Sequence, residues 1–321
     1  MRVRTFDELT SEMELDRAVL HATAFGGTFP RRAVEIYRRR AAMFSDYVGL
    51  FAVEAGHVVG QIFALRLPYA FRDGPGTISG IAGVATRPDR AHRGVAKRLL
   101  TELHERELDD GISYAGLWTN RSWIAHGLYE KFGYRDVHMP PWAVRAPSKA
   151  ARRPPRGMTL RYGRRADLDS LDALREDRTR DRLGFYRRPK GSGRAAALAG
   201  DLHPTQSLLV AQEGGRPVGY AHVEVNPGRV LCGELVGRTP RVERALRNAV
   251  AGVRPHAPCF FQHTLVSDAP KVFRSPSYTV VTTGWYGFLG AKLGHHWSRR
   301  AAASEFATTD PRFVCSAGDR F

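Results

Sequence analysis

The 321-residue chain has no run of 18 consecutive apolar residues, so a transmembrane helix is not expected. Its first residues, MRVRTFDELTSEMELD, turn acidic where a secretory leader would be apolar, and the expectation is a cytoplasmic protein. Cysteines are scarce: Cys232, Cys259 and Cys315 are odd in number and scattered, which excludes a disulfide framework and suits a reducing compartment. No group of Cys, His and carboxylates has metal-ligand spacing, since His295 and His296 are adjacent rather than one helical turn apart, and no metal is expected. Neither GxxxxGK[ST] nor GxGxxG occurs, which removes the two commonest nucleotide fingerprints. The basic residues form no stretch interleaved with aromatics and no zinc, KH or RRM signature, which disfavours nucleic acid as the partner.

What is present is an ordinary globular composition, 43% hydrophobic, 25% charged and 10% aromatic, in a length that suits two domains. The net charge of +17 is uneven. Residues 1–150 hold 21 basic and 17 acidic side chains, leaving 28 and 15 for the remainder, so the second half carries +13. Such an excess concentrates anionic partners such as nucleotides, nucleic acids or acidic proteins, and arginine-favouring codon usage explains it equally well.

The chain repeats itself. FAVEAGHVVGQ (51–61) and VAQEGGRPVGY (210–220) overlay without a gap, matching at five of eleven positions, and each has the chemistry of a β-hairpin. A second echo sets YEKFGY (129–134) against GAKLGH (290–295) at nearly the same offset. Between the copies, APSKAARRPPRG reads as a linker. The expected division is therefore a domain over 1–146, a linker over 147–157 and a second domain over 158–321.

In the first copy a strand is expected at 1–5, then helical stretches to about 43 and a hairpin at 47–54 and 57–67. A strand over 77–86 follows, then a helix from Val95 whose face is marked by Val95, Leu99, Leu103 and Arg106, with Leu100 widening it. A further strand covers 113–119, and NRSWIAHGLYEKFGY reads as a helix capped by Asn120 and ended by Gly133. Strands with helices on both faces make an α/β fold.

The stretch RPDRAHRGVAKRLL (87–100) joins strand to helix through a basic loop with one glycine. The first N–H groups of a helix have no intrahelical partner, the macrodipole adds positive potential there, and Gly94 allows close approach of backbone to an anion. Arg90, His92, Arg93 and Lys97 add charge around the same point, so this is a candidate pyrophosphate site.

This strand, loop and helix, followed by a strand and GLYEKFGY, resemble the GCN5-related N-acetyltransferase (GNAT) family. Its signature [Gln/Arg]-x-x-Gly-x-[Gly/Ala] is met in AHRGVA (91–96) at Gly94 and Ala96; Ala91 departs from it, with Arg90 next door as the side chain able to compensate. The GIAGVAT lead-in and tandem layout further resemble the enhanced-intracellular-survival branch, though that branch's sterol-carrier-like third domain is not expected here. The resemblance implies two tandem GNAT-like domains, each a mixed, mostly antiparallel sheet flanked by helices, the second degenerate. It implies an N-acyltransferase that moves an acetyl or other small acyl group from acetyl-CoA, or another acyl-CoA, to a small-molecule amine. The backbone of Val84, Ala85 and Thr86 would pair with the pantetheine arm. The amides of His92, Arg93, Gly94, Val95, Ala96 and Lys97 would hold the pyrophosphate, with Asn120 reaching the arm as well. Tyr129 falls at the general acid; a phenol titrating near 10 can protonate a departing thiolate whose acid titrates near 8.5.

A base is not evident, because the strand ISGIAGV (78–84) carries no carboxylate. Glu35, Asp73, His126 and the carboxylate of Phe321 are the candidates. In the second copy GRTPRVERALRNAV lacks the Gly-x-[Gly/Ala] loop, and Gly290 stands against Tyr129 in the second echo, so that copy is expected to be non-catalytic. Two alternatives stay open: an acidic acyl carrier protein as donor in natural-product biosynthesis, and a non-catalytic basic nucleic-acid-binding protein. Acceptor, acyl group and oligomeric state are not legible.

Overall fold

The structure, a computed structural model, describes residues 1–26, 47–147, 153–184, 190–200, 202–262, 269–282 and 286–313. The first hairpin pairs β2 (Tyr47–Glu54) with β3 (His57–Phe71), the second β9 (Leu208–Glu213) with β10 (Arg216–Asn226). Both turns have two central residues at positive φ, Ala55 (48°) and Gly56 (84°) in one and Gly214 (54°) and Gly215 (77°) in the other. That geometry matches the right-handed twist of the flanking strands. The hairpin echo is thus a structural equivalence.

Each hairpin lies in a seven-stranded sheet. The first contains β1 (Arg2–Arg4), β2, β3, β4 (Gly74–Thr86), β5 (Tyr114–Asn120), β14 (Tyr286–Lys292) and β6 (Arg135–His138), in that spatial order. The second runs β13 (Thr279–Val281), β7 (Trp142–Arg145), β12 (Cys259–Gln262), β11 (Arg229–Gly237), β10, β9 and β8 (Met158–Tyr162). Both are antiparallel except for the pairs β4–β5 and β11–β12. The sheets exchange strands across the linker. β14, near the end of the chain, pairs with β5 and β6 of the first sheet, and β7 lies between β12 and β13 of the second. A boundary at 146 and 158 therefore divides the chain but not the sheets.

Alternation along the strands gives the first sheet two apolar faces. Helix α1 (Ser11–Phe25) packs on β3 and β4 over Phe51, Val53, Phe63 and Ala85. Helix α2 (Val95–Asp109) packs on the other face through Val95, Leu99, Leu100 and Leu103, and α3 (Ile124–Lys131) adds Tyr129 to the same cluster. The buried face of α2 ends at Glu107 rather than at Arg106. Glu107 has no exposed surface and faces Arg66 Nε of β3 at 3.1 Å, whereas Arg106 turns back to Glu102. In the second half α4 (Leu168–Thr179), α5 (Ser192–Ala199), α6 (Pro240–Val253) and α7 (Arg299–Glu305) follow.

The two halves share a close helix–strand contact. A Cβ added to Gly60 would lie 2.4 Å from Val95 Cγ1, and one added to Gly219 would lie 2.5 Å from Val242 Cγ1. The second sequence echo has no such basis. Residues 129–134 close helix α3, whereas 290–292 belong to strand β14, where a Cβ on Gly290 would meet the Phe306 ring at 2.3 Å. Between β12 and β13 the described residues hold one helical turn, Ala269–Val272. Cys232 and Cys259 are buried free thiols whose pKa values are pushed up by burial; Cys315 lies outside the described residues. No described helix is long and apolar enough to cross a membrane.

Candidate active site

Strands β4 and β5 run parallel but stay together only at Ser79–Ala115, Gly80–Gly116 and Ile81–Leu117. Beyond those pairs β4 continues to Thr86 and β5 to Asn120, so the strands splay and the β5-facing edge of Val84, Ala85 and Thr86 has no strand beside it. A β-bulge precedes this edge. The register against β3 skips from Gln61–Ala85 to Phe63–Ala82, and Gly83 takes φ of 58°. The extra residue resets the alternation: Ile81 and Val84 face the α2 cluster, Ala82 and Ala85 the α1 cluster.

Because β4 and β5 are parallel neighbours, the helices that follow them begin at the same end of the sheet, where ligands of such sheets collect. After a short 3-10 turn at Pro88–Arg90, His92 (φ 60°) and Gly94 (φ 77°) both take the left-handed conformation. Gly94 is the N-cap of α2, has no side chain with which to cap it, and a Cβ there would meet no atom within 4 Å. The first backbone bond of the helix runs from Arg98 N to Gly94 O at 2.9 Å, so the amides at 94–97 precede the helical ladder. His92, Arg93, Lys97 and Arg98 are exposed around them and pair with no carboxylate among the described residues. Arg90 does not substitute for the basic side chain missing at Ala91. It turns to Glu54 Oε2 and Asp89 Oδ2, each at 2.9 Å, and Arg87 pairs with Asp89 as well. Arg87 and Arg90 together hold the Asp89 carboxyl below its usual range.

Asn120 ends β5 rather than capping α3. Its Oδ1 accepts from Ser122 N at 2.9 Å and Ser122 Oγ at 2.8 Å, closing a turn, and the helix begins at Ile124 with Trp123 as N-cap. A short polar side chain next to a turn satisfies the nearest N–H first. Gly133, at φ 88°, closes the far end as the sequence suggests.

Tyr129 is buried in the cluster that Val84 also packs against, with its ring edge-on to Tyr134 at 5.8 Å. Tyr134 has no exposed surface; its hydroxyl lies 2.9 Å from His104 Nε2. Burial raises the Tyr134 pKa well above the usual tyrosine value and lowers that of His104 to about 4, so the pair is a neutral imidazole hydrogen-bonded to a neutral phenol.

Of the base candidates, His126 lies one turn before Tyr129 with Nε2 3.3 Å from Asp136 Oδ1, a carboxylate shared with Arg121 Nε at 3.0 Å. Asp73 borders a cleft of about 450 Å³ with Tyr114, Asp110 and Glu305. It precedes the first residue of β4, roughly 30 Å along the strand from the bulge. Glu35 and Phe321 lie outside the described residues. Sequence reading missed Gln61, which is fully buried opposite the bulge.

In the second half the pairing of β11 with β12 covers Val230–Cys259 to Cys232–Phe261 among the described residues. There the helix start is closed. Thr239 Oγ1 accepts from Val242 N at 3.3 Å, and Pro240 contributes no N–H.

A splayed parallel strand pair beside an open helix N-terminus marks this end of the first α/β unit. Residues 5–137 match the family model for an acetyltransferase (GNAT) domain. The chain thus carries a GNAT domain and is an enzyme of the acetyltransferase class. No curated protein matches its sequence. Among solved structures it is similar to a probable N-acyltransferase from Enterococcus faecalis V583 (TM-score 0.68, 13% identity, covering 91% of this chain and 72% of that one). It is also similar to Eis1 from Mycobacterium abscessus (TM-score 0.56, 16% identity, 90% and 73%). A tandem GNAT protein from the clavulanic acid biosynthesis pathway gives a TM-score of 0.50 at 13% identity, covering 92% of this chain and 99% of that one. At these identities the likeness speaks for the fold, two GNAT-like units in tandem.

Proposed function

We propose that the first unit transfers an acetyl or other small acyl group from acyl-CoA to an amine. The observation that carries this reading is the β4–β5 splay beside the uncapped start of α2. The pantetheine arm lies along Val84, Ala85 and Thr86 as an added strand would, and Asn120 meets it from β5. The amides of His92 and of Gly94 to Lys97 take the pyrophosphate, Arg93 N being turned to Arg90 O at 3.4 Å. Helix dipole and basic rim both favour the anion. The acceptor amine attacks the thioester carbonyl directly, the carbon–sulfur bond breaks, and Tyr129 supplies the proton that the departing thiolate takes. The proton shed by the new amide nitrogen returns to the Tyr129 phenolate directly or through water. The Tyr129 ring is buried and set edge-on to Tyr134 at 5.8 Å, which fixes the phenol on α3. The second unit is non-catalytic, its helix start being capped by Thr239. The exposed rim of His92, Arg93, Lys97 and Arg98 also suits a pantetheine arm carried by an acidic protein.

The test is Tyr129→Phe, assayed by thiol release from acetyl-CoA with an amine found by screening. The ring and its packing are kept. Coenzyme A affinity should be unchanged while kcat falls by roughly 10²–10⁴, the usual worth of a positioned general acid. A variant with wild-type kcat would show that Tyr129 only packs.

A further inference from the structure

Gln61 lies within β3 with no exposed surface, in the otherwise apolar run Val58–Ala64. Its Nε2 donates to Gly83 O at 3.0 Å and lies 2.9 Å from Nδ1 of His21 on α1. An amide nitrogen only donates, so His21 Nδ1 is the acceptor and the neutral ring carries its proton on Nε2. Both hydrogens of one buried amide are thus committed, one to the helix and one to the bulge.

Gly83 and Val84 together stand opposite Ile62, because the register passes from Gln61–Ala85 to Phe63–Ala82. A bulge disrupts the ladder at its extra residue, and there Gln61 supplies a donor to the Gly83 carbonyl. In a trans peptide the carbonyl and the following N–H point in opposite directions. Holding Gly83 O toward Gln61 therefore turns the Val84 N–H away from it, toward the side where β4 has no neighbour. The second unit fills the same place differently: Tyr220, which aligns with Gln61, donates to Glu234, and Glu234 pairs with Arg175 at 3.2 Å.

We propose that Gln61 is a positioning residue of the donor slot, fixing the Gly83–Val84 peptide so that the Val84 N–H meets the pantetheine arm. This rests on the reading of the slot as the acyl-CoA site. Calorimetry on the full chain tests it with two probes, coenzyme A and adenosine 3′,5′-bisphosphate, the second lacking the arm. Gln61→Met keeps the length and removes both bonds. It should weaken coenzyme A about tenfold, the worth of one hydrogen bond, and leave the bisphosphate within twofold. His21→Leu keeps the bond to Gly83 but frees the amide to swing, and should weaken coenzyme A about threefold with the bisphosphate again unaffected; it serves if Gln61→Met does not fold. Variants that bind both probes like wild type, or lose both equally, would overturn the assignment to the arm. A wild-type chain that bound neither probe would overturn the donor reading itself, and this assignment with it.

Discussion

Gly94→Asp separates a ligand site from a simple helix start. At φ 77° the backbone is left-handed, where aspartate is among the better-tolerated residues and costs about 1 kcal/mol. No atom lies within 4 Å of the new Cβ, so no clash adds to that cost. A carboxylate at the start of α2 recovers about 0.5–1 kcal/mol from the helix dipole. Folding stability should therefore hardly change, and the melting temperature should stay within a few degrees. Binding is another matter. A full negative charge about 4 Å from a pyrophosphate, at the effective dielectric of a protein surface, opposes it by up to about 4 kcal/mol, which salt screening reduces. The expected loss of coenzyme A affinity is between about 30-fold and a thousandfold. Gly94→Ala carries the left-handed strain without the charge and should lose less than about tenfold. Titration calorimetry and thermal unfolding of both variants decide the matter. If Gly94→Asp binds coenzyme A like wild type, or if the two variants lose the same affinity, no anion sits at this helix start.

Two further outcomes follow from the structure. Unfolded, His104 takes up a proton near pH 6.5 that the folded chain refuses until about pH 4, so stability should fall as the pH drops through that window, by roughly 3 kcal/mol. His104→Gln keeps an acceptor for Tyr134 and should flatten the urea midpoint between pH 7.5 and 4.5 relative to wild type; an unchanged slope would assign the acid sensitivity elsewhere. A fragment ending at 146 lacks β14, which leaves β5 and β6 as open edges and removes Phe288, Leu289 and Ala291 from the core. It should be insoluble or lack cooperative thermal unfolding, and should be rescued by co-expression with 158–321. A fragment that melted cooperatively alone would show that the exchange is not needed for folding.

The parts legible in the sequence were those whose cause is local. The hairpins announce themselves because a two-residue turn needs positive φ at both positions, and Ala-Gly and Gly-Gly supply it. The cradle is visible because a lone glycine among basic residues precedes an apolar-periodic helix. What failed depended on partners remote in the chain. Glu107, not Arg106, completes the face of α2 because Arg66 waits on a strand 41 residues away. Asn120 is drawn into a turn with Ser122 before it can cap a helix. The echo of GAKLGH with YEKFGY matched a helix end to a strand, since glycine, lysine and aliphatic residues at that spacing suit both. Gln61 left a signal, a glutamine inside GQIFAL opposite the glycine-rich GIAGVAT. Alternation alone reads it as a polar outward position, when it is buried.

The strand exchange links the second unit to the chemistry of the first. A parallel pair that splays needs something to hold its outer member, because a strand pulled from its neighbour loses the hydrogen bonds on that side. β14 supplies them along the whole of β5, from Tyr114 opposite Lys292 to Asn120 opposite Tyr286, continuing past Leu117 where β4 has already parted. The wall of the slot that bears Asn120 is thus fixed by residues nearly 170 positions further along the chain. β14 is fixed in its turn by Phe306, which packs where Gly290 leaves room, and by β6 on its other edge. With its own helix start capped, the second unit contributes to the first as the holder of β5. This accounts for a degenerate copy that keeps its sheet and hairpin turn while lacking an open cradle.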